Sequence, residues 1–205
     1  MNLKTDPRIF IIDDDPSVRR SLSILLASAG YAVEAFEKAV DFLETDHNFV
    51  TGCIILDVFL TGESGLLLQD TIRERFPNLP IIYISGLGDI PMSVQAMRKG
   101  AINFLQKPVN DAALLDAVDE ALIYSIRITG TNRAINEARA KLDSLTPRER
   151  EIFTFVIRGF LNKQIAAELQ IAEHTVKLHR GRITEKLGAK SVPELVNIAH
   201  ILGIV

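Results

Sequence analysis

The sequence predicts a doubly wound α/β domain with a five-stranded parallel sheet, joined by a helical linker to a smaller all-α domain of four helices. Two observations indicate this division. Over residues 1–125, short apolar runs alternate five times with amphipathic helix patterns, as in repeated β-α units. Over residues 145–205, only helix patterns separated by short turns remain. Residues 126–144 are predicted to form the linker.

Short apolar runs predict the strands of the first domain, because such runs are typical of buried parallel strands. They cover residues 8–12, 31–36, 53–56, 80–84 and 101–105. Helices follow them, beginning after the acidic run that ends at Pro16, then at Lys38, Ser64, Asp89 and Asn110. Ser64 and Asn110 are predicted N-caps. Residues 129–132 interrupt the last helix pattern, so the sequence leaves open whether the linker is one continuous helix.

The second domain begins with a complete helix start signal. Thr146 is the predicted N-cap, Pro147 occupies the first turn, and Glu149 closes a capping box. Four helices follow, near residues 147–158, 162–169, 173–187 and 192–202. A three-residue turn separates the second helix from the third, which is typical of a helix-turn-helix.

Composition excludes several classes of protein. Of 205 residues, 47% are hydrophobic and 24% are charged, as in an ordinary soluble protein. No apolar run approaches the roughly 20 residues of a membrane span, and the N-terminus lacks the apolar region of a signal peptide. The single cysteine, Cys53, lies in an apolar run and gives no sign of a disulfide. We therefore expect a cytoplasmic protein.

Charge is distributed unevenly along the chain. Residues 1–144 contain 14 Lys and Arg against 20 Asp and Glu, which gives −6, whereas residues 145–205 contain nine against six, which gives +3. A basic C-terminal part favours a polyanion as its partner, although random scatter of surface charge would also produce so small an imbalance.

Polar side chains follow four of the predicted strands, at the point where each strand ends: Asp13 and Asp14, Asp57, Ser85, and Lys107. In a sheet of order 2-1-3-4-5 these positions converge at one edge. Three clustered carboxylates need a cation, and Mg²⁺ is the hard divalent ion that such oxygens prefer. Asp57 can then accept a phosphoryl group, with Lys107 and Ser85 placed to bind its oxygens. The alternative is that each group is a solvated loop residue, which becomes improbable for five groups together.

These residues resemble the receiver domain of two-component response regulators, with its flavodoxin-like fold, over residues 8–125. The stretch 85–108 is especially similar to the FixJ-like subgroup. The resemblance implies that Asp14, Asp57 and the backbone carbonyl of Phe59 hold Mg²⁺, with Asp13 acting through water.

The resemblance has three further implications. Phe104 stands at the family's aromatic switch position, where the ring turns inward when the Ser85 hydroxyl moves towards the phosphoryl group. The Lys107–Pro108 peptide bond is expected to be cis, as it typically is in such domains. Thr61 stands where the family usually has proline, a departure that would loosen the loop but removes no chemical group.

The third predicted helix of the second domain has a basic surface near its N-terminal half. Residues 145–205 resemble the LuxR/FixJ-type DNA-binding domain, which implies that this helix enters the major groove with Lys177, Leu178 and Gly181 over the bases. The other residues expected to contact DNA, mostly at phosphates, are Asn162, Lys163, Thr175, His179, Arg180 and Arg182. Ala172 replaces the usual serine N-cap, and the fourth helix resembles the family's dimerisation helix.

Together these features predict a two-component response regulator that is a DNA-binding transcription factor and not an enzyme. A sensor histidine kinase would phosphorylate Asp57, residues 89–125 would dimerise, and the pair would bind double-stranded promoter DNA and act with RNA polymerase. Two alternatives stay open. A Mg²⁺-dependent phosphotransfer hydrolase would need a second acid/base group where Phe59 stands. A constitutive DNA-binding regulator would use its receiver only as a dimerisation scaffold.

Overall fold

The computed structural model describes residues 7–45, 47, 51–86 and 90–205, except for the side chain of Glu63. The chain divides into two compact units, with the division between Thr129 and Gly130. Each unit has its own apolar core. Among the described residues, none of the helices has both the length and the apolar content needed to cross a bilayer.

The first unit contains a five-stranded parallel sheet. Its strands are β1 (Arg8–Ile12), β2 (Ala32–Phe36), β3 (Gly52–Asp57), β6 (Ile81–Ser85) and β7 (Asn103–Gln106). They are ordered β2-β1-β3-β6-β7, which confirms the predicted order 2-1-3-4-5. Between β3 and β6 lies a short antiparallel hairpin of β4 (Phe59–Leu60) and β5 (Glu63–Ser64), which the sequence reading missed.

Five helices accompany the sheet strands: α1 (Pro16–Ser28), α2 (Ala39–Glu44), α3 (Gly65–Arg75), α4 (Ile90–Arg98) and α5 (Asp111–Asp143). The predicted start of the fourth helix at Asp89 lies outside the described residues. Asn110 caps α5 as predicted, because its side-chain oxygen accepts from the backbone N–H of Ala113 at 3.0 Å. Ser64 precedes α3, but its side chain makes no capping hydrogen bond. Its backbone instead ends β5, opposite Phe59.

The sequence left open whether residues 129–132 interrupt the last helix of the first unit, and the structure answers this, because α5 is one continuous helix of 33 residues. A single glycine inside a helix costs about 1 kcal/mol relative to alanine. Gly130 is flanked on both sides by long helix-forming stretches, so this local cost does not end the helix.

The three inner strands of the sheet, β1, β3 and β6, are buried along most of their length, which is why they appear in the sequence as unbroken apolar runs. Side chains alternate between the two faces of the sheet. Phe10 and Ile54 pack on the face that carries Phe42 and Ile72, whereas Ile11 and Ile55 pack with α1 and α5. Cys53 is fully buried among them, and burial raises the pKa of its thiol.

The second unit contains the four predicted helices, α6 (Pro147–Ile157), α7 (Asn162–Glu168), α8 (Glu173–Leu187) and α9 (Val192–Ile201). Val176, Ile183 and Leu187 of α8 are buried in one core with Ile165. In the turn between α7 and α8, Gln170 has a positive φ of 51°, and no other non-glycine residue in the described part of the chain does.

The start of α6 is held by a capping box to which a buried ion pair is added. The Thr146 hydroxyl accepts from the Glu149 N–H at 3.2 Å, and the Glu149 carboxylate accepts from the Thr146 N–H at 2.9 Å. Lys186 of α8 also donates to this carboxylate, from 2.6 Å. The Glu149 side chain is only 3% exposed. The hydrogen bond from Lys186, followed by that from Thr146, lowers the pKa of Glu149 to about 2.

This contact predicts a pH-dependent contribution to stability. Because the pKa of Glu149 is lowered by folding from 4.5 to about 2, its ionised form stabilises the fold above about pH 4.5, and this contribution is lost as the pH falls towards 2. Glu149→Gln keeps the capping geometry but removes the charge. We expect it to lower the free energy of opening of α6, measured by amide hydrogen exchange at pH 7, by about 1–3 kcal/mol. The difference should shrink below pH 4.5.

The matched control is Glu151→Gln. Its ion pair with Arg148 is partly exposed, so the same measurement should change by less than about 1 kcal/mol. A difference between wild type and Glu149→Gln that stays constant from pH 7 to pH 3 would contradict the assignment.

Candidate functional site

The register of the sheet brings the predicted polar residues of the first unit to one edge. Ile12 pairs with Leu56, so Asp13 follows β1 beside Asp57 at the end of β3. Asp57 in turn pairs with Ile84, so Ser85 comes next on β6. Lys107 follows β7 and donates its backbone N–H to the Ser85 carbonyl at 2.8 Å. Four strand ends therefore contribute to a single site.

Lys107 joins two of the carboxylates. Its Nζ lies 2.7 Å from Oδ2 of Asp13 and 2.5 Å from Oδ2 of Asp57, and both aspartates are buried. The peptide bond between Lys107 and Pro108 is cis, as the resemblance implied. Burial lowers the pKa of the Lys107 ammonium, but the hydrogen bonds to Asp13 and Asp57 outweigh it and raise the pKa, so the group stays charged. Burial raises the pKa of Asp13 despite its bond to Lys107.

Asp13, Asp14 and Asp57 form a carboxylate cluster, in which one oxygen of each lies within 4.8 Å of the others. In the part of the chain that the structure describes, no other group of His, Cys, Asp and Glu comes together in this way. Three carboxylates with one lysine leave excess negative charge, and oxygen ligands of this kind suit a hard divalent cation. The chemistry of the cluster therefore fits such an ion. The fourth predicted ligand, the Phe59 carbonyl, belongs to β4, and the Phe59 N–H donates to Oδ1 of Asp57 at 3.0 Å.

Thr61 contacts the cluster, which the sequence reading did not foresee. Its backbone N–H donates to Oδ2 of Asp14 at 3.0 Å, and its hydroxyl donates to the same oxygen. The loop after Asp57 is thus tied to the loop after β1, in contrast to the expected loosening. The available signal was a hydroxyl side chain four residues after Asp57, in place of proline.

Gly65 is required where it stands. A Cβ at this position would collide with the carbonyl of Asp57, because the start of α3 passes directly over the end of β3. The Gly65 N–H donates to the Val58 carbonyl at 2.9 Å.

The two predicted switch residues lie on neighbouring strands. Ser85 is fully buried at the end of β6. Phe104 of β7 is partly buried and packs on the core that includes Met92 and Ala96 of α4. Its ring centroid lies 6.3 Å from that of Tyr83. Phe104 therefore packs as a core aromatic in the cluster that also contains Ala96 of α4.

The predicted DNA-contacting residues of the second unit lie on α7 and α8. The exposed members are Lys163, Lys177, Leu178, Gly181 and Arg182, and the half-buried members are Asn162, Thr175, His179 and Arg180. Arg180 Nη1 donates to Oδ1 of Asn162 at 2.7 Å and so connects the two helices. A Cβ at Gly181 would contact nothing within 4 Å, so packing within the described structure does not require glycine there. Ala172 supplies no side-chain cap to α8, as predicted.

Comparison with known proteins accounts for both sites. The sequence model of the response regulator receiver domain matches residues 9–119, and that of the luxR family of bacterial regulatory proteins matches residues 143–199. Nodulation protein W of Bradyrhizobium diazoefficiens is 42% identical over 196 residues, covering 96% of this chain and 86% of that protein. Transcriptional regulatory protein FixJ of Rhizobium meliloti is 35% identical over 195 residues, covering 95% and 96%.

A solved structure extends the comparison to the fold. The low-resolution structure of response regulator StyR has a TM-score of 0.86 and 42% identity, and the match covers 95% of this chain and 98% of that one. The predicted family and fold class are confirmed. The chain belongs to the FixJ-like response regulators of two-component systems, with a receiver domain followed by a LuxR-family DNA-binding domain.

Proposed function

We propose that this response regulator is switched by phosphorylation of Asp57 by a sensor histidine kinase, and that the phosphorylated form binds promoter DNA as a homodimer. The observation that carries the proposal is the pair of contacts from Lys107 to Asp57 and Asp13, next to Asp14. It supplies a carboxylate nucleophile, a fixed cation and an acidic group in one place. The family is one of transcriptional regulators, so a hydrolase with substrate turnover is not proposed.

Phosphoryl transfer requires little covalent chemistry from the protein. An Asp57 oxygen attacks the phosphorus of phosphohistidine, the O–P bond forms, and the P–N bond to the imidazole breaks. Asp14, Asp57 and the Phe59 carbonyl would hold Mg²⁺, with Asp13 acting through water, and the ion would offset the negative charge of the phosphoryl oxygens. Lys107 Nζ donates to an Asp57 oxygen at 2.5 Å, so it is placed to donate to a phosphoryl group formed there.

The response is proposed to pass through Ser85 and Phe104. Ser85 would move its hydroxyl towards the phosphoryl group, and the ring of Phe104 would turn into the space beside it. Phe104 packs on the core that contains Ala96 of α4, and α4 exposes Ile90, at 79% exposed. We propose that the face formed by residues 89–125 then pairs with a second copy.

For the output, we propose that α8 enters the major groove. The exposure of Lys177, Leu178 and Gly181 supports their placement over the bases, since a glycine lets the backbone come close. The phosphate contacts are assigned to Asn162, Lys163, His179, Arg180 and Arg182, and Thr175 is proposed as a further DNA contact. The domain limits we propose are 1–125 for the receiver, 126–144 for the linker and 145–205 for the DNA-binding domain. The active dimer would act with RNA polymerase in the cytoplasm.

Replacing the acceptor tests the switch. We expect acetyl phosphate with Mg²⁺ to raise the affinity of the wild type by about tenfold for a duplex selected from random DNA, a coupling of about 1.4 kcal/mol. Asp57→Asn should remove this gain, because the amide cannot accept a phosphoryl group. Gel-shift titration with and without acetyl phosphate measures the difference.

Asp70→Asn is the matched control, because Asp70 pairs with Lys99 and takes no part in the carboxylate cluster. It should retain the gain. A gain retained by Asp57→Asn would refute the proposed acceptor. Equal affinity of the wild type in both conditions would instead favour the constitutive regulator with a scaffold receiver.

Removing a contact to a base and removing a contact to a phosphate are expected to change DNA affinity in different ways. Arg182→Ala should weaken binding to all sequences alike and reduce the slope of log affinity against log salt by about 1. Lys177→Ala should cost about 1–3 kcal/mol on the selected duplex and much less on unrelated DNA. Fluorescence anisotropy over a salt series, on both duplexes, separates the two effects.

Arg139→Ala serves as the control, since Arg139 is an exposed residue of α5 outside the four C-terminal helices. It should leave affinity and salt slope nearly unchanged. Equal loss on selected and unrelated DNA for Lys177→Ala would show that this residue contacts phosphate rather than base.

A further inference from the structure

Thr61 binds Asp14 with two donors directed at one oxygen. The Thr61 N–H and hydroxyl both donate to Oδ2, and Oδ1 of Asp14 accepts no hydrogen bond from the described residues. Thr61 itself is exposed and lies in the turn between β4 and β5. The contact joins residues 47 positions apart in the sequence.

The other two carboxylates of the cluster are used differently. Asp13 accepts from the Asp15 N–H at Oδ1 and from Lys107 at Oδ2. Asp57 accepts from the Phe59 N–H at Oδ1 and from Lys107 at Oδ2. Of the six carboxylate oxygens, Oδ1 of Asp14 is therefore the one that no described residue engages.

We propose that Thr61 is a positioning residue for the divalent-cation site, holding Asp14 by Oδ2 so that Oδ1 is kept as a ligand atom. The inference rests on the proposed role of Asp14 as a Mg²⁺ ligand. Hydrogen bonds to the second oxygen of a ligating carboxylate fix its orientation, and removing such partners typically weakens metal binding by about 10–100-fold.

The chemistry of the donors supports this role. Asp14 lies beside two other carboxylates, and like charges at this separation repel one another. A lysine placed against Asp14 would hold it in the cluster but would also neutralise the charge that attracts the cation. The hydroxyl and N–H of Thr61 hold the carboxylate without cancelling its charge. They also prevent the free rotation that a cation would otherwise have to stop.

An alternative role for the same contact predicts the opposite change in Mg²⁺ affinity. If the cation takes Oδ2, the hydroxyl of Thr61 competes with it, and removing the hydroxyl tightens Mg²⁺ binding. The affinity of the full-length protein for Mg²⁺ alone, without a phosphoryl donor, decides between the two roles. Amide chemical shifts during a MgCl₂ titration give this dissociation constant independently of any phosphorylation.

We expect Thr61→Val to weaken Mg²⁺ binding by about tenfold, because valine keeps the shape and the N–H but lacks the hydroxyl. Thr61→Ala should show the same loss, which excludes an effect of the valine methyl groups. Thr61→Ser should stay within about twofold of the wild type. Thr45→Val is the control, since its hydroxyl donates to the Asp41 carbonyl at 2.9 Å in α2, and Mg²⁺ affinity should not change.

Unchanged or tighter binding by Thr61→Val overturns the inference. Asp14→Ala separates the two levels of the proposal. If Asp14→Ala abolishes the titration and Thr61→Val leaves it unchanged, only the role of Thr61 fails. If Asp14→Ala binds Mg²⁺ as the wild type does, the metal assignment of the proposed function fails together with it.

Discussion

Excess negative charge at the end of a buried sheet is the constraint on which the receiver site depends. β1 and β3 are central strands with apolar side chains on both faces, so polar groups enter only where the strands end. Asp13 and Asp57 stand at neighbouring ends, and both are buried. Lys107 is the one cation that an ion pair brings to these two carboxylates in the described structure. It offsets part of their charge and leaves the rest.

The residual charge links stability to function. Removing one partner of a buried ion pair destabilises a fold by about 3–5 kcal/mol, so loss of Lys107 would destabilise the receiver as well as remove the cation proposed for its chemistry. One carboxylate of the cluster remains without a counter-charge. Asp14 forms no ion pair with a positively charged side chain of the described residues. The divalent cation proposed for this cluster would complete the charge balance. The uncompensated negative charge that favours the proposed cation therefore also makes the site costly to fold without that cation.

The sequence predicted whatever depends on local pattern or on strand order. This class includes the five strands, the capping box at Thr146 and the convergence of Asp13, Asp57 and Lys107. Short stretches of sequence determine the hydrophobic periodicity, the capping residues and the position at which each parallel strand ends. The resemblance to a known family added the cis bond at Lys107–Pro108.

The features that the sequence missed or left open depend on contacts between distant residues or on the helix propensity of a whole segment. The bond between Thr61 and Asp14 joins two loops and requires their relative placement, which no local pattern encodes. The need for glycine at position 65 arises from a close approach to the Asp57 carbonyl. The continuity of α5 follows from the whole helix rather than from Gly130, since a local cost of about 1 kcal/mol is small against the favourable residues on either side.

Both units use the same means of presenting a charged group. One contact fixes the group, and the atoms that remain are available to a ligand. Thr61 engages one oxygen of Asp14 and leaves the other. Asn162 accepts from one donor of Arg180, and the guanidinium has five N–H groups, so others would remain for the proposed phosphate contact. In each case the entropy of ordering the side chain is lost on folding rather than on binding, so less of the binding free energy is spent at the moment of recognition. Asp14 and Arg180 would thus apply one physical principle to proposed ligands of opposite charge.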